Sequence, residues 1–128
     1  FVNLLAANDP SSTYHVYQQI QTRIGDSLVC IFLNTREDRR YRTIQLLDLV
    51  FMKIKPDMLI VRGENLPSQF HDYQKGKPKV KTHQIPYKVG VNDIIAEFSN
   101  LEDYFIVGIG NMVGWGEIFV KNLKEYRA

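Results

Sequence analysis

The 128 residues suit one domain, and 45% hydrophobic content is enough to fill an ordinary core. A formal net charge of +2 is too small to argue for nucleic acid or for a membrane surface. With Cys30 as the one cysteine, an internal disulfide is excluded, and no stretch approaches the roughly 18 apolar residues of a membrane span.

The chain opens at Phe1 rather than Met and runs directly into strand-like sequence, Phe1 to Ala7, which suggests a piece excised from a longer protein. Asp9 followed by Pro10 suits an N-cap and first helical position, so a helix is expected at once. Val16, Ile20 and Ile24 mark its apolar stripe, and Gly25-Asp26 ends it. The second strand, Leu28 to Asn34, carries Cys30, a small core residue in a run that fits a reducing compartment. Ile44, Leu47, Phe51 and Ile54 then mark a second helix, stopped by Lys55-Pro56-Asp57.

Met58 to Arg62 is the third strand. Gln69 to Lys81 is polar, with Lys75, Lys77, Lys79 and Lys81, and reads as a solvated connection. Val80 to Ile85 alternates less cleanly than the other strands and belongs nearer an edge of the sheet. Ile94, Ile95, Phe98 and Leu101 predict a third helix, Tyr104 to Ile109 a fifth strand, and Phe119, Leu123 and Tyr126 a final helix. Strands alternating with helices in this way predict an α/β fold with a mostly parallel sheet.

Parallel strands bring the loops at their carboxyl ends to one edge, which is where such sheets bind ligands. Three loops qualify: Asn8 to Thr13, Asn34 to Thr43, and Gly108 to Gly116. In the first, Asp9 suits ribose hydroxyls, or simply caps the helix. The second holds Arg36, Arg39, Arg40 and Arg42 against Glu37 and Asp38, a local +2 equal to the charge of the whole chain. Arginine is a forked, permanently charged donor matched to carboxylate or phosphate. Arg36 and Arg39 are the better anion ligands, with Arg40 facing solvent; the alternative is surface pairing of Asp38 with Arg42 and of Glu37 with Arg40. The third loop, Gly108-Ile109-Gly110-Asn111-Met112-Val113-Gly114, resembles a dinucleotide fingerprint but has the wrong spacing. Its glycines instead suit positive φ or close backbone approach. A phosphate loop is missing, no nucleophilic triad is placed, and His15, His71 and His83 lack metal-ligand spacing, so neither catalytic residues nor a protein-built metal site is assigned.

Taken together, the first-loop sequence through Asn8-Asp9 and Ser11-Ser12-Thr13, the pattern N-x-R-x-D-R-x-x-R-T from Asn34 to Thr43, and the late G-x-G-N-x-x-G resemble the poly-γ-glutamate synthase ligase subunit of bacterial capsule biosynthesis, a relative of the Mur ligases. The resemblance covers almost the full chain and implies the carboxyl-terminal domain of that subunit, a Rossmann-like three-layer sandwich of about five or six strands. It implies an ATP-dependent amide ligase working through an acyl phosphate. ATP and Mg2+ would be held mainly by a preceding phosphate-loop domain, and this piece would be inactive alone.

By motif, Asn8, Asp9 and Asn111 would lie on the nucleotide side. Ser12, Thr13, Arg36, Asp38, Arg39, Arg42 and Thr43 would face substrate, glutamate or poly-γ-glutamate. The resemblance also implies a cytoplasmic location, with membrane association through the rest of the protein or a synthase complex. A competing reading is a free-standing, non-catalytic module that binds a small anion or nucleotide. A third is an interaction domain whose arginines are paired internally.

Overall fold

The computed structural model describes residues 2–4, 9–111 and 114–127. In chain order it contains β1 (Val2–Asn3), α1 (Pro10–Ile24), β2 (Leu28–Asn34), a single 3-10 turn (Glu37–Arg39), α2 (Arg40–Leu49) continued by a π-helical turn (Val50–Ile54), β3 (Met58–Arg62), α3 (Ser68–Gly76), β4 (Lys81–Ile85), α4 (Val91–Phe98), β5 (Tyr104–Gly110) and α5 (Trp115–Arg127). The rest of the expected first strand, Phe1 and residues 5–7, lies outside the described residues, although Leu4 still donates its N–H to Gly108 O at 2.7 Å.

The α/β expectation holds. Five parallel strands stand in the order β1-β5-β2-β3-β4, which places β4 at an edge as its weaker alternation predicts. Alternation along β2 then builds two core layers. Ile31 and Leu33 join Tyr17 and Ile24 of α1, Leu46 and Leu47 of α2 and Phe70 of α3 on one side. Cys30 and Phe32 join Ile94, Ile95 and Phe98 of α4 and Phe119 and Leu123 of α5 on the other. Wholly buried Phe32 meets Phe98 edge-on with ring centroids 5.2 Å apart and Phe119 at the same distance. Each such pair contributes about 0.5–1.5 kcal/mol beyond its burial.

The sequence-predicted stripes mark real core faces, with two corrections. In α1 the most deeply buried side chains include Thr13 and Tyr17, while Val16 and Ile20 are half-buried. Residues at 13, 17, 20 and 24 share a face on a 3.6-residue period, which leaves Val16 on its flank. The polar stretch after Gln69 is not a solvated connection but mostly the helix α3. Phe70 is buried there, and Tyr73 stacks on Phe51 at 4.6 Å while donating to Asp48 Oδ1 at 2.7 Å. Two aromatic anchors spaced by three suffice to hold a short helix whose remaining residues are polar.

The chain steps in one direction across the sheet through α1, α2 and α3, then steps back through α4 to reach β5. Right-handed crossovers therefore put α1 to α3 on one face and α4 on the other. The neighbours β2 and β5 send their chains to opposite faces, so a crevice opens between them at the carboxyl edge. This is the topological switch point, where ligands bind in sheets of this kind.

Candidate functional site

The end of β2 is tied to both neighbours. Asn34 accepts from Asn111 N at 2.8 Å through its carbonyl, and its Nδ2 donates back to Asn111 O at 2.7 Å. Thr35 donates its N–H to Arg62 O at 3.1 Å and its hydroxyl to the same oxygen at 2.8 Å. Gly110 must be glycine: its φ is +103°, and a Cβ there would collide with Asn34 O. The glycine-rich loop thus serves close backbone approach, as expected, and seats Asn111 beside β2.

The arginine loop leaves this anchored point as a 3-10 turn before α2 begins at Arg40. Because Asp38 precedes the α-helix, the expected helical pair with Arg42 gives way to a forked ion pair with Arg36, Nε to Oδ1 at 2.8 Å and Nη2 to Oδ2 at 2.6 Å. Arg36 is therefore already engaged. Arg39 and Arg42 make no salt bridge or side-chain hydrogen bond among the described residues. Together with Asn34, Arg36, Thr43 and Asn111 they line a pocket of about 240 Å³ at the switch point. Thr43 is buried and caps back to Arg39 O at 3.3 Å, so it positions Arg39 from below.

Arg40 was expected to face solvent alone. It is exposed, but its guanidinium donates to Asn65 O and borders a second pocket of about 210 Å³, on the other side of Arg36, with Glu37, Glu64 and Tyr87. Glu64 accepts from Tyr87 N at 3.2 Å. None of Glu64, Asn65 and Tyr87 was legible as a site residue, because each joins the arginine loop only through strand order.

In the first loop, Asp9 is the N-cap of α1. Oδ1 accepts from Ser12 N and Oδ2 from Ser12 Oγ, each at 2.8 Å. These bonds, the backbone one foremost, hold the Asp9 carboxyl below its ordinary value, and the charge of Arg42 adds to the effect. Loop one and Arg42 are thus electrostatic neighbours. Thr13 is completely buried on the core face, which leaves it no surface for a ligand in this arrangement. Asn8 lies outside the described residues.

The arrangement has a further member that the sequence did not single out. Arg62, at the end of β3, is buried and lies between the rings of Trp115, 3.9 Å from its centroid, and Tyr87, 4.7 Å away. Its Nη1 donates to Asn34 Oδ1 at 3.0 Å, and its Nε has no partner among the described residues. Desolvation pulls its pKa below the ordinary arginine value, with Tyr87 opposing. An arginine closing an otherwise apolar run was the available signal, but its partners lie in two distant segments.

The chemistry on offer is anion recognition. Two guanidinium groups that make no salt bridge among the described residues, with an amide at a strand-to-helix edge, fit phosphate or carboxylate. They do not fit a cation, and among the described residues no three His, Cys, Asp or Glu side chains come together as metal ligands. Nor is any helix among them long and apolar enough to cross a membrane.

Residues 1–126 match the family described as poly-gamma-glutamate synthase CapB C-terminal domain. The chain is 35% identical to PGA synthase CapB of Bacillus subtilis (strain 168) over 133 aligned positions, covering 99% of this chain and 33% of that protein. It is 28% identical to the capsule biosynthesis protein CapB of Bacillus anthracis, covering 98% of this chain and 27% of that protein. No solved structure matches significantly. The chain thus spans about a third or less of the length of these curated relatives. Matched almost from end to end, it belongs to the poly-gamma-glutamate synthase CapB C-terminal domain family.

Proposed function

We propose that this chain is the carboxyl-terminal domain of an ATP-dependent amide ligase that adds glutamate to poly-γ-glutamate through an acyl phosphate. The carrying observation is the pocket at the switch point, where Arg39 and Arg42 make no salt bridge among the described residues and stand beside the Arg36–Asp38 pair.

When bound, ATP supplies the phosphoryl group that activates the carboxyl end of the growing chain. The residues of this domain do the rest of the work at its edge. Arg39 and Arg42 hold the α-carboxylate of the incoming glutamate or the oxygens of the activated carboxyl, both of which carry negative charge that a planar fork matches. Asp38 keeps the Arg36 fork oriented at the pocket rim. Asp9 serves the nucleotide side: Ser12 uses one acceptor position on each of its oxygens, and a carboxylate has about four, so ribose hydroxyls have acceptors left. Asn111, held by Asn34, closes the wall between these groups.

Mg2+ and the phosphate loop belong to another domain of the protein: the cationic groups gathered here disfavour a bound metal, and this sequence has no phosphate-loop motif. The substrates place the active protein in the cytoplasm, and any membrane association rests with the rest of the protein or its partners.

Hydroxylamine trapping tests the reaction class. In the full-length protein, ATP, poly-γ-glutamate and hydroxylamine without free glutamate should yield a hydroxamate on the polymer and release phosphate. ATP turnover without hydroxamate contradicts the acyl phosphate.

A further inference from the structure

We propose that Arg62 is the positioning residue of the switch-point pocket, holding the connection between β5 and α5 at both of its ends. The proposal rests on the functional reading above only in naming glutamate as one ligand; the anion pocket itself is the object.

Arg62 is only 8% exposed and, among the described residues, makes no salt bridge and leaves Nε without a hydrogen-bond partner. A guanidinium buried in this way contributes less to stability than a well-packed apolar side chain of similar volume. What an apolar side chain could not do is orient Asn34. Arginine can only donate, so its bond to Asn34 Oδ1 fixes which way the amide points. The Asn34 Nδ2 is then left to donate to Asn111 O at 2.7 Å, which pins the start of the connection at the pocket wall.

The end of the connection is held by the same group. Trp115, the first residue of α5, lies over the guanidinium at 3.9 Å. The Tyr87 ring centroid lies 4.7 Å from the same guanidinium, and its hydroxyl bonds Thr35 Oγ1 at 2.9 Å where the residue borders the second pocket. Arg62 lines neither pocket, yet it contacts the rings of Trp115 and Tyr87 directly and reaches Asn111 through the Asn34 amide. Lysine would keep the charge but not the fork or the flat face, so it should not replace arginine here.

The test uses R62K and R62M in the full-length protein, with two readouts. The first is the KM and kcat for glutamate in ATP hydrolysis. The second is the change in Trp115 emission on titrating pyrophosphate; Trp115 is the one tryptophan of this chain, and W115F supplies the background.

Both variants are expected to raise the glutamate KM by about tenfold with kcat little changed, as displacement of a substrate-holding wall does. Both should also blunt the pyrophosphate response. If R62M folds poorly, R62K carries the test, since it keeps the charge and most of the volume. A wild-type KM and emission response in stably folded R62K overturns the proposal, as does a wild-type protein whose Trp115 emission ignores pyrophosphate. Arginine-loop variants separate the two claims. If R39A/R42A keeps full glutamate stimulation, the proposed function falls, whereas impaired R39A/R42A beside normal R62K overturns only the role of Arg62.

Discussion

The loops after β1 and β2 occupy equivalent places at the carboxyl edge of one sheet, but they use their polar groups differently. In the first, Asp9 is engaged at both oxygens by Ser12, and Thr13 is buried in the core. In the second, one ion pair forms between Arg36 and Asp38, and Arg39 and Arg42 are left over. The first loop spends part of its acceptor capacity on structure; the second leaves two like charges without a salt bridge among the described residues at a switch point, which favours a ligand of opposite charge.

The largest expected effect follows from removing those charges. R39A and R42A should each raise the glutamate KM of the full-length protein by about 10- to 100-fold, the worth of a charge-assisted hydrogen bond of about 1.5–3 kcal/mol, without lowering the unfolding midpoint. Steady-state kinetics beside thermal unfolding checks this. Next comes the wall between the loops. G110A forces a side chain into positive φ against Asn34 O and should destabilise the domain by about 1–3 kcal/mol in urea unfolding.

D9A should sharpen the contrast from the other side. The loss of the helix cap should lower the unfolding midpoint by a few degrees and raise the KM for ATP, while the glutamate KM stays unchanged. The smallest effect belongs to a residue remote from both loops. Its hydrogen bond to Asp48, with burial, pushes the Tyr73 hydroxyl from 10.0 up to about 12. A raised folded-state pKa means that the stabilisation is complete below pH 10 and lost as pH rises toward 12. Y73F should remove that pH dependence from the unfolding curve and leave both KM values untouched.

These contrasts show which parts of the molecule are local in sequence and which are not. Asp9 and Pro10 announce the start of α1 because a cap is a contact over three residues. The runs of β2, β3 and β5 are legible because a strand covered on both faces is apolar throughout. The cationic character of residues 34–43 was also plain, since charge is a property of composition. α3 was not, because its stability comes from Phe70 and Tyr73 packing on α2, a tertiary effect in a segment of polar period. Arg62 was hidden for the same reason. Its meaning depends on Asn34, Tyr87 and Trp115, which the order β5-β2-β3-β4 brings together from separate segments. Even the choice among the arginines needed the structure: the 3-10 turn commits Arg36 to Asp38 and sends Arg40 toward Asn65, which leaves Arg39 and Arg42.

The most direct test is glutamate-stimulated ATP hydrolysis by the full-length protein, comparing R39A/R42A with D9A and with R40A. Stimulation should vanish in R39A/R42A and persist in the other two at saturating ATP. Stimulation that survives in R39A/R42A but is lost in D9A or R40A would contradict the assignment of the switch-point pocket.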